Sequence, residues 1–216
     1  MEPEYKILSL HSGGNKNALR YFGMKTKLHY GGKYRNESDL IAKREHNPKA
    51  VPFHEPSSAW FSVLANIGAL IVVAGLLAFA VKFFGNSLFL HTRQIRFGLA
   101  LALLSLIPHE FLHATCFRQD VYMYTNLSRG MLFVHGTEDM SKKRFVFMSM
   151  LPNIVFGFIP FAMFLFNKNL IFCGVMGALC IGMGFGDYIN VFNALTQMPI
   201  GAKTYVSGFH SYWYKD

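Results

Sequence analysis

Residues 109–113 read His-Glu-Phe-Leu-His. On a helix this spacing sets two imidazoles one turn apart on one face, with a carboxylate beside them. Two neutral histidine nitrogens and a glutamate able to move a proton are the core of a zinc hydrolase site. On a soluble surface helix the same five residues would mean little. Here residues 99–108 are almost wholly apolar, and Ala114-Thr-Cys-Phe117 follows. Polar groups in such a stretch are costly and call for a partner.

A catalytic zinc takes three protein ligands and keeps one position open for water. The turns after His113 offer no further His or Glu, so the third ligand must come from elsewhere. Of the 12 Asp and Glu in the chain, only Glu110 and Asp187 lie well inside apolar stretches. A buried carboxylate without a cation is strongly disfavoured, which makes Asp187 the candidate third ligand. Asn153, directly after Pro152, and Asn190, one turn past Asp187, are candidates to orient a ligand or to hold a substrate carbonyl. They serve equally well, as does Asn66, as hydrogen bonds between helices. Pro108 is expected to loosen the helix and free a backbone carbonyl near the metal. Cys116, Cys173 and Cys180 form no disulfide framework and read as small apolar residues; Cys180 shares a helix face with Asp187. His210 is a remote candidate ligand. His11, His29, His46, His54, His91 and His135 have no paired spacing and read as surface residues.

These groups must be positioned by long apolar elements. The 216 residues are 52% hydrophobic, 16% aromatic and only 15% charged, against about 25% charged in ordinary soluble domains. The apolar residues gather in blocks at 59–84, 97–117, 145–166 and 170–195, each close to the length that crosses a bilayer. The expected fold is an all-α integral membrane bundle of about four helices, residues 59–216, after an N-terminal region at 1–58. No block reads as a cleaved leader, because the first 50 residues are polar. Between the second and third blocks, 121–124 and 131–135 are strand-like runs around a turn at 126–130. They predict a small hairpin that either binds a peptide by strand addition or simply connects. The tail, 205–214, is rich in Tyr, Phe and Trp and is expected at the membrane interface. Gly174, Ala178, Gly182 and Gly186 recur every fourth residue, a ridge that admits a close neighbour helix.

Seventeen of the 21 Lys and Arg fall in the N-terminal region, the loop between the second and third blocks, and the tail. The positive-inside rule then predicts a cell-membrane protein with both termini cytoplasmic. The net charge of +9 follows from that bias; no nucleic-acid signature accompanies it. From the predicted span starts, His109 and Asp187 lie within roughly 8 Å of each other in depth.

His-Glu-Phe-Leu-His-Ala at 109–114, Pro-Asn at 152–153 and Gly-Asp at 186–187 resemble the putative zincin peptidase family of small multi-pass membrane zinc metallopeptidases. The layout is more distantly similar to site-2 proteases, although those carry Asn-Pro-Asp-Gly or a similar run where this chain has Phe-Gly-Asp-Tyr. The resemblance implies His109, His113 and Asp187 as Zn²⁺ ligands and Glu110 as base. The expected activity is hydrolysis of a peptide bond, in a peptide or membrane-protein substrate, at or within the bilayer. The alternatives are a non-proteolytic membrane metalloprotein, such as a lipid hydrolase or maturation factor, or a catalytically silent binding protein.

Overall fold

The computed structural model describes residues 28–34, 41–126 and 131–216. Residues 1–27, His11 among them, 35–40 and the turn residues 127–130 lie outside the described residues.

Helices α1 (Ser58–Phe84), α2 (Thr92–Leu104), α3 (Leu106–Thr115), α4 (Lys142–Pro152), α5 (Ile159–Phe166), α6 (Ile171–Met183) and α7 (Phe185–Gln197) dominate the chain. α2 and α3 run on through a slight break at Ser105, and a wide π-type turn at Asn153–Phe158 joins α4 to α5. Three helical stretches, Trp60–Phe84, Thr92–Thr115 and Lys142–Phe166, are long and apolar enough to cross a membrane. α6 and α7 make a fourth if the pair is taken as one span, but they meet at 50°. The straight segment expected at 170–195 is therefore bent. The cause is local: α6 ends at Gly184, and the N–H groups of Asp187 and Tyr188 both turn back to the Gly184 carbonyl to start α7.

α6 is the centre of the bundle, with α1, α2 and α5 packed around it. Its buried face is Cys173, Gly174, Gly177, Ala178, Cys180, Ile181 and Gly182. A Cβ on Gly182 would strike the backbone of Ala69 in α1, so close helix approach here requires glycine. The ridge of small residues works as expected up to Gly182. Gly186 lies past the bend, where a side chain would meet only ordinary contacts with Phe61.

The fold is not purely all-α. Strands β1 (Leu28–Lys33), β2 (Val51–Pro52), β3 (Val121–Asn126), β4 (Met131–His135), β5 (Met140–Ser141), β6 (Lys203–Ser207) and β7 (His210–Tyr214) form two sheets. One has the order β1-β3-β4, with β1 parallel to β3 and β3 antiparallel to β4. The other has the order β2-β7-β6-β5 and is antiparallel throughout. The expected hairpin exists as β3–β4, but its partners come from segments far away in sequence. Such long-range pairing leaves no local signature, which is why the apolar blocks outweighed it.

Residues 41–44 strap the two sheets together. The Ala42 carbonyl accepts from Gly208 N at 3.2 Å and from His135 Nε2 at 3.0 Å. Arg44 N donates to Ser207 Oγ, and its guanidinium reaches the Thr137 carbonyl and Asp139. His135 is thus a buried structural residue, not a surface one. Burial lowers its pKa despite that hydrogen bond.

The start of α4 is fastened at both sides. Lys142 Nζ donates to the Leu195 and Met198 carbonyls at 3.0 and 2.7 Å, capping the C-terminus of α7. Glu138, 6% exposed, accepts from Arg144 Nη1 at 2.6 Å and from the N–H groups of Arg118 and Gln119. Arg144 also donates to the Cys116 carbonyl, just past the end of α3. Burial alone would raise the Glu138 pKa, but the hydrogen bonds from Arg144, Gln119 and Arg118 outweigh it and hold it below the usual value. A carboxylate with a lowered folded pKa contributes stability that is complete above its unfolded pKa and is lost as pH falls through the folded one. Glu138→Gln leaves the Arg144 charge without its partner and is expected to cost about 3 kcal/mol at neutral pH. Thermal melts of the detergent-solubilised chain should also show a shallower acid limb in the variant; parallel pH profiles for the two proteins would refute this account.

Candidate metal centre

The break at Ser105 restarts the helix so that α3 presents the motif. Ser105 Oγ donates to the Ala102 carbonyl at 2.7 Å, and the Ser105 carbonyl receives His109 N at 2.8 Å. Pro108 falls in the first turn of α3, where the missing N–H costs least. His109 and His113 then lie one turn apart, with their rings edge to face and Nε2 atoms 3.2 Å from each other.

Asp187 closes the cluster from the first turn of α7. Its Oδ2 is 3.4 Å from His109 Nε2 and its Oδ1 is 3.4 Å from His113 Nε2. Both helices reach this level at nearly the same depth. His109 is 17 residues past Thr92 and Asp187 is 16 past Ile171.

The tautomer of His113 follows from its other nitrogen. Nδ1 is 3.0 Å from the Met148 carbonyl of α4, which can only accept. Nδ1 therefore carries the proton, and in the neutral ring Nε2 turns a bare lone pair toward His109 and Asp187. Two imidazole nitrogens and a carboxylate drawn together in this way are a donor set for a cation. The two Nε2 atoms are 3.2 Å apart and each is 3.4 Å from one oxygen of Asp187; imidazole nitrogens and a carboxylate are the ligand types that zinc takes. The residues present fit zinc.

Glu110 belongs to the same cluster by distance: His109, Glu110 and His113 each offer an atom within 4.8 Å of the others. Its role differs from that of Asp187, which lies nearer to both histidines. Glu110 Oε2 instead accepts the N–H of Val134 in β4 at 3.0 Å.

Asn153 is fully buried and donates from Nδ2 to Asp187 Oδ2 at 2.8 Å and to the Ser149 carbonyl at 3.2 Å. The other polar candidates lie elsewhere. Among the described residues, Asn190 makes no hydrogen bond to the cluster, and Asn66 donates to the Ser62 carbonyl of its own helix. Cys180 Sγ packs 3.3 Å from Ser105 Oγ, and His210 is exposed at the head of β7. The backbone carbonyl that meets a site histidine is that of Met148, not one freed by Pro108. Sequence reasoning also missed Val134, because a backbone N–H carries no residue signature. Pro152 was the available signal for Met148: it stands four residues on, where a helix would otherwise spend that carbonyl.

No curated protein and no solved structure matches the chain. Residues 102–203 do match the model of the family described as putative zincin peptidase. The resemblance carried by the motif, the Pro-Asn pair and Asp187 is thus shown over the segment that holds all three: residues 102–203 are similar to the putative zincin peptidases.

Proposed function

We propose that the chain is a zinc-dependent peptidase set in a membrane, hydrolysing a peptide bond in the cytoplasmic half of the bilayer. The observation that carries this reading is the convergence of His109, His113 and Asp187 within 3.4 Å of one another. A zinc ion held by these three would supply Lewis-acid polarisation of a carbonyl and acidify water beside it.

The protein's own groups divide the remaining work. Met148 and Asn153 fix the orientation of His113 and Asp187. Val134 N–H pins one oxygen of Glu110. The other oxygen is left to take a proton from water and pass it to the leaving amine.

β4 also offers a place for substrate. Val134 points its N–H away from β3, so the pair Met123–Val134 is a non-hydrogen-bonded one. Two residues earlier the same holds for Thr125–Leu132, because the Thr125 carbonyl turns to the other side and accepts Tyr34 N at 2.9 Å. Leu132 and Val134 therefore face the same outer edge, and that edge runs past Glu110. An extended peptide can add to it as a strand. This favours a peptide over a lipid, which has no backbone to pair.

Strand pairing supports the membrane topology. β1 and β2 precede α1, β3–β5 follow α3, and β6–β7 follow α7. Their pairing joins the described strands before α1 with the 121–141 loop and the tail, which supports one shared side for these segments. Seventeen of the 21 Lys and Arg fall in residues 1–58, the 118–144 loop and the tail, a bias that supports a cytoplasmic side there with both termini on it. The aromatic tail strands and Trp60, exposed at the start of α1, sit at the boundary of that side.

Glu110→Gln should keep about one zinc per chain and lower turnover about 10²–10⁴-fold. Zinc content is read by mass spectrometry, and turnover by accumulation of membrane peptides against wild type. A variant that still cleaves would overturn the assigned base, and a wild type free of zinc with His109 intact would favour the silent binding protein. Leu132→Pro removes an N–H that the β3–β4 ladder does not use. It is expected to raise KM for a peptide several-fold with kcat and zinc content unchanged; an unchanged KM would rule out docking along β4.

A further inference from the structure

α4 is broken just where it passes the metal centre: one residue of the break frees a carbonyl for one ligand and the next bonds another ligand directly. Proline has no N–H, so Pro152 cannot donate to the carbonyl four residues back, which is that of Met148. The next N–H, that of Asn153, goes to the Met150 carbonyl instead. The Met148 carbonyl is left to accept His113 Nδ1 at 3.0 Å. Asn153 opens the π-type turn and holds Asp187 Oδ2 through Nδ2 at 2.8 Å, with its second amide hydrogen on the Ser149 carbonyl.

The far side of Asn153 is equally constrained. Its Oδ1 is buried with no hydrogen-bond partner and lies so close to Gly184 that any Cβ there would collide with it. Gly184 is the corner between α6 and α7, three residues before Asp187. Asn153 thus fills the inside of the 50° bend and holds the carboxylate just beyond it. An unpartnered buried amide oxygen is a cost to stability. A side chain kept for packing alone would be better off without it.

We infer that Pro152 and Asn153 are positioning residues whose break in α4 presets two zinc ligands from two different helices, His113 through the Met148 carbonyl and Asp187 directly. The inference rests on the metal-site reading above. It predicts that zinc affinity and fold stability respond in opposite directions when the break is altered.

The test compares full-length wild type, Asn153→Leu, Pro152→Ala and Asn66→Leu in detergent. Apparent zinc Kd is read by competition with a chelator, and the metal-free thermal midpoint by circular dichroism. Leucine is nearly the shape of asparagine and lacks the donor. Asn153→Leu should weaken zinc binding about 10–100-fold while the metal-free midpoint holds or rises. Pro152→Ala restores a competing N–H and should weaken zinc binding several-fold. Asn66→Leu, on a helix that contributes nothing to the centre, should bind zinc as wild type does. With cobalt in place of zinc, the visible absorption band of Asn153→Leu should shift, as expected for a reoriented carboxylate ligand. Zinc affinity unchanged in folded Asn153→Leu, or lost there only in step with the metal-free midpoint, overturns the inference; so does wild-type affinity in Pro152→Ala if Asn153→Leu fails to fold. A wild-type chain that takes up no zinc removes the metal-site reading itself, and this inference with it.

Discussion

A carboxylate set among apolar helices is tolerated only with cationic or strongly polar company, and that constraint organises this protein. Asp187 sits in the first turn of α7, with His109 and His113 of α3 each 3.4 Å away. α4 stands between these two helices, packed against both, and supplies the groups that settle each ligand's orientation. The capping of α7 by Lys142 and the Glu138–Arg144 clamp at the end of α3 both originate at the start of α4 or just before it. The helix with no ligand of its own is therefore the one that registers the other two.

Glu110 is anchored differently. It projects from α3, yet its hydrogen bond goes to Val134 in a sheet outside the long helices. β4 pairs with β3, β3 with β1, and the 41–44 strap ties His135 at the end of β4 to the β6–β7 turn. Ligands held by helices and a base held by a sheet are separately supported. Glu110 is thus tied to β4, while His109, His113 and Asp187 meet one another and α4.

What was legible in the sequence was whatever local composition determines. The apolar blocks marked α1, the α2–α3 pair, the α4–α5 pair and the α6–α7 pair, with starts that differ by up to five residues. The His pair and Asp187 were legible because polar groups in apolar stretches stand out against their surroundings. The sheets were not: β1 pairs with β3 across some ninety residues and β2 with β7 across more than a hundred and fifty, and neither partner advertises the other. His135 looked like a surface residue because its burial depends on residue 42, which only the folded chain brings near. The bend at Gly184 was hidden for the opposite reason. A small residue in an apolar run reads as helix packing, and its second use as a corner shows only once Asn153 is found against it.

The breaks in these helices and the polarity of the site are one feature. An uninterrupted apolar helix spends every backbone group on itself and has nothing to offer a ligand. Pro152 releases the Met148 carbonyl, and Gly184 ends α6 so that α7 can set Asp187 at the level of His109. The break at Pro152 is offset by the Met148 carbonyl's bond to His113, and the one at Gly184 by backbone bonds that start α7. Removing the donors while keeping the breaks would leave carbonyls and an amide buried without purpose. Straightening the helices while keeping the donors would carry Asp187 away from the histidines. The interruptions in α4 and at the α6–α7 corner therefore stand or fall with the grouping of His109, His113 and Asp187, and they face each other across the Asn153–Gly184 contact.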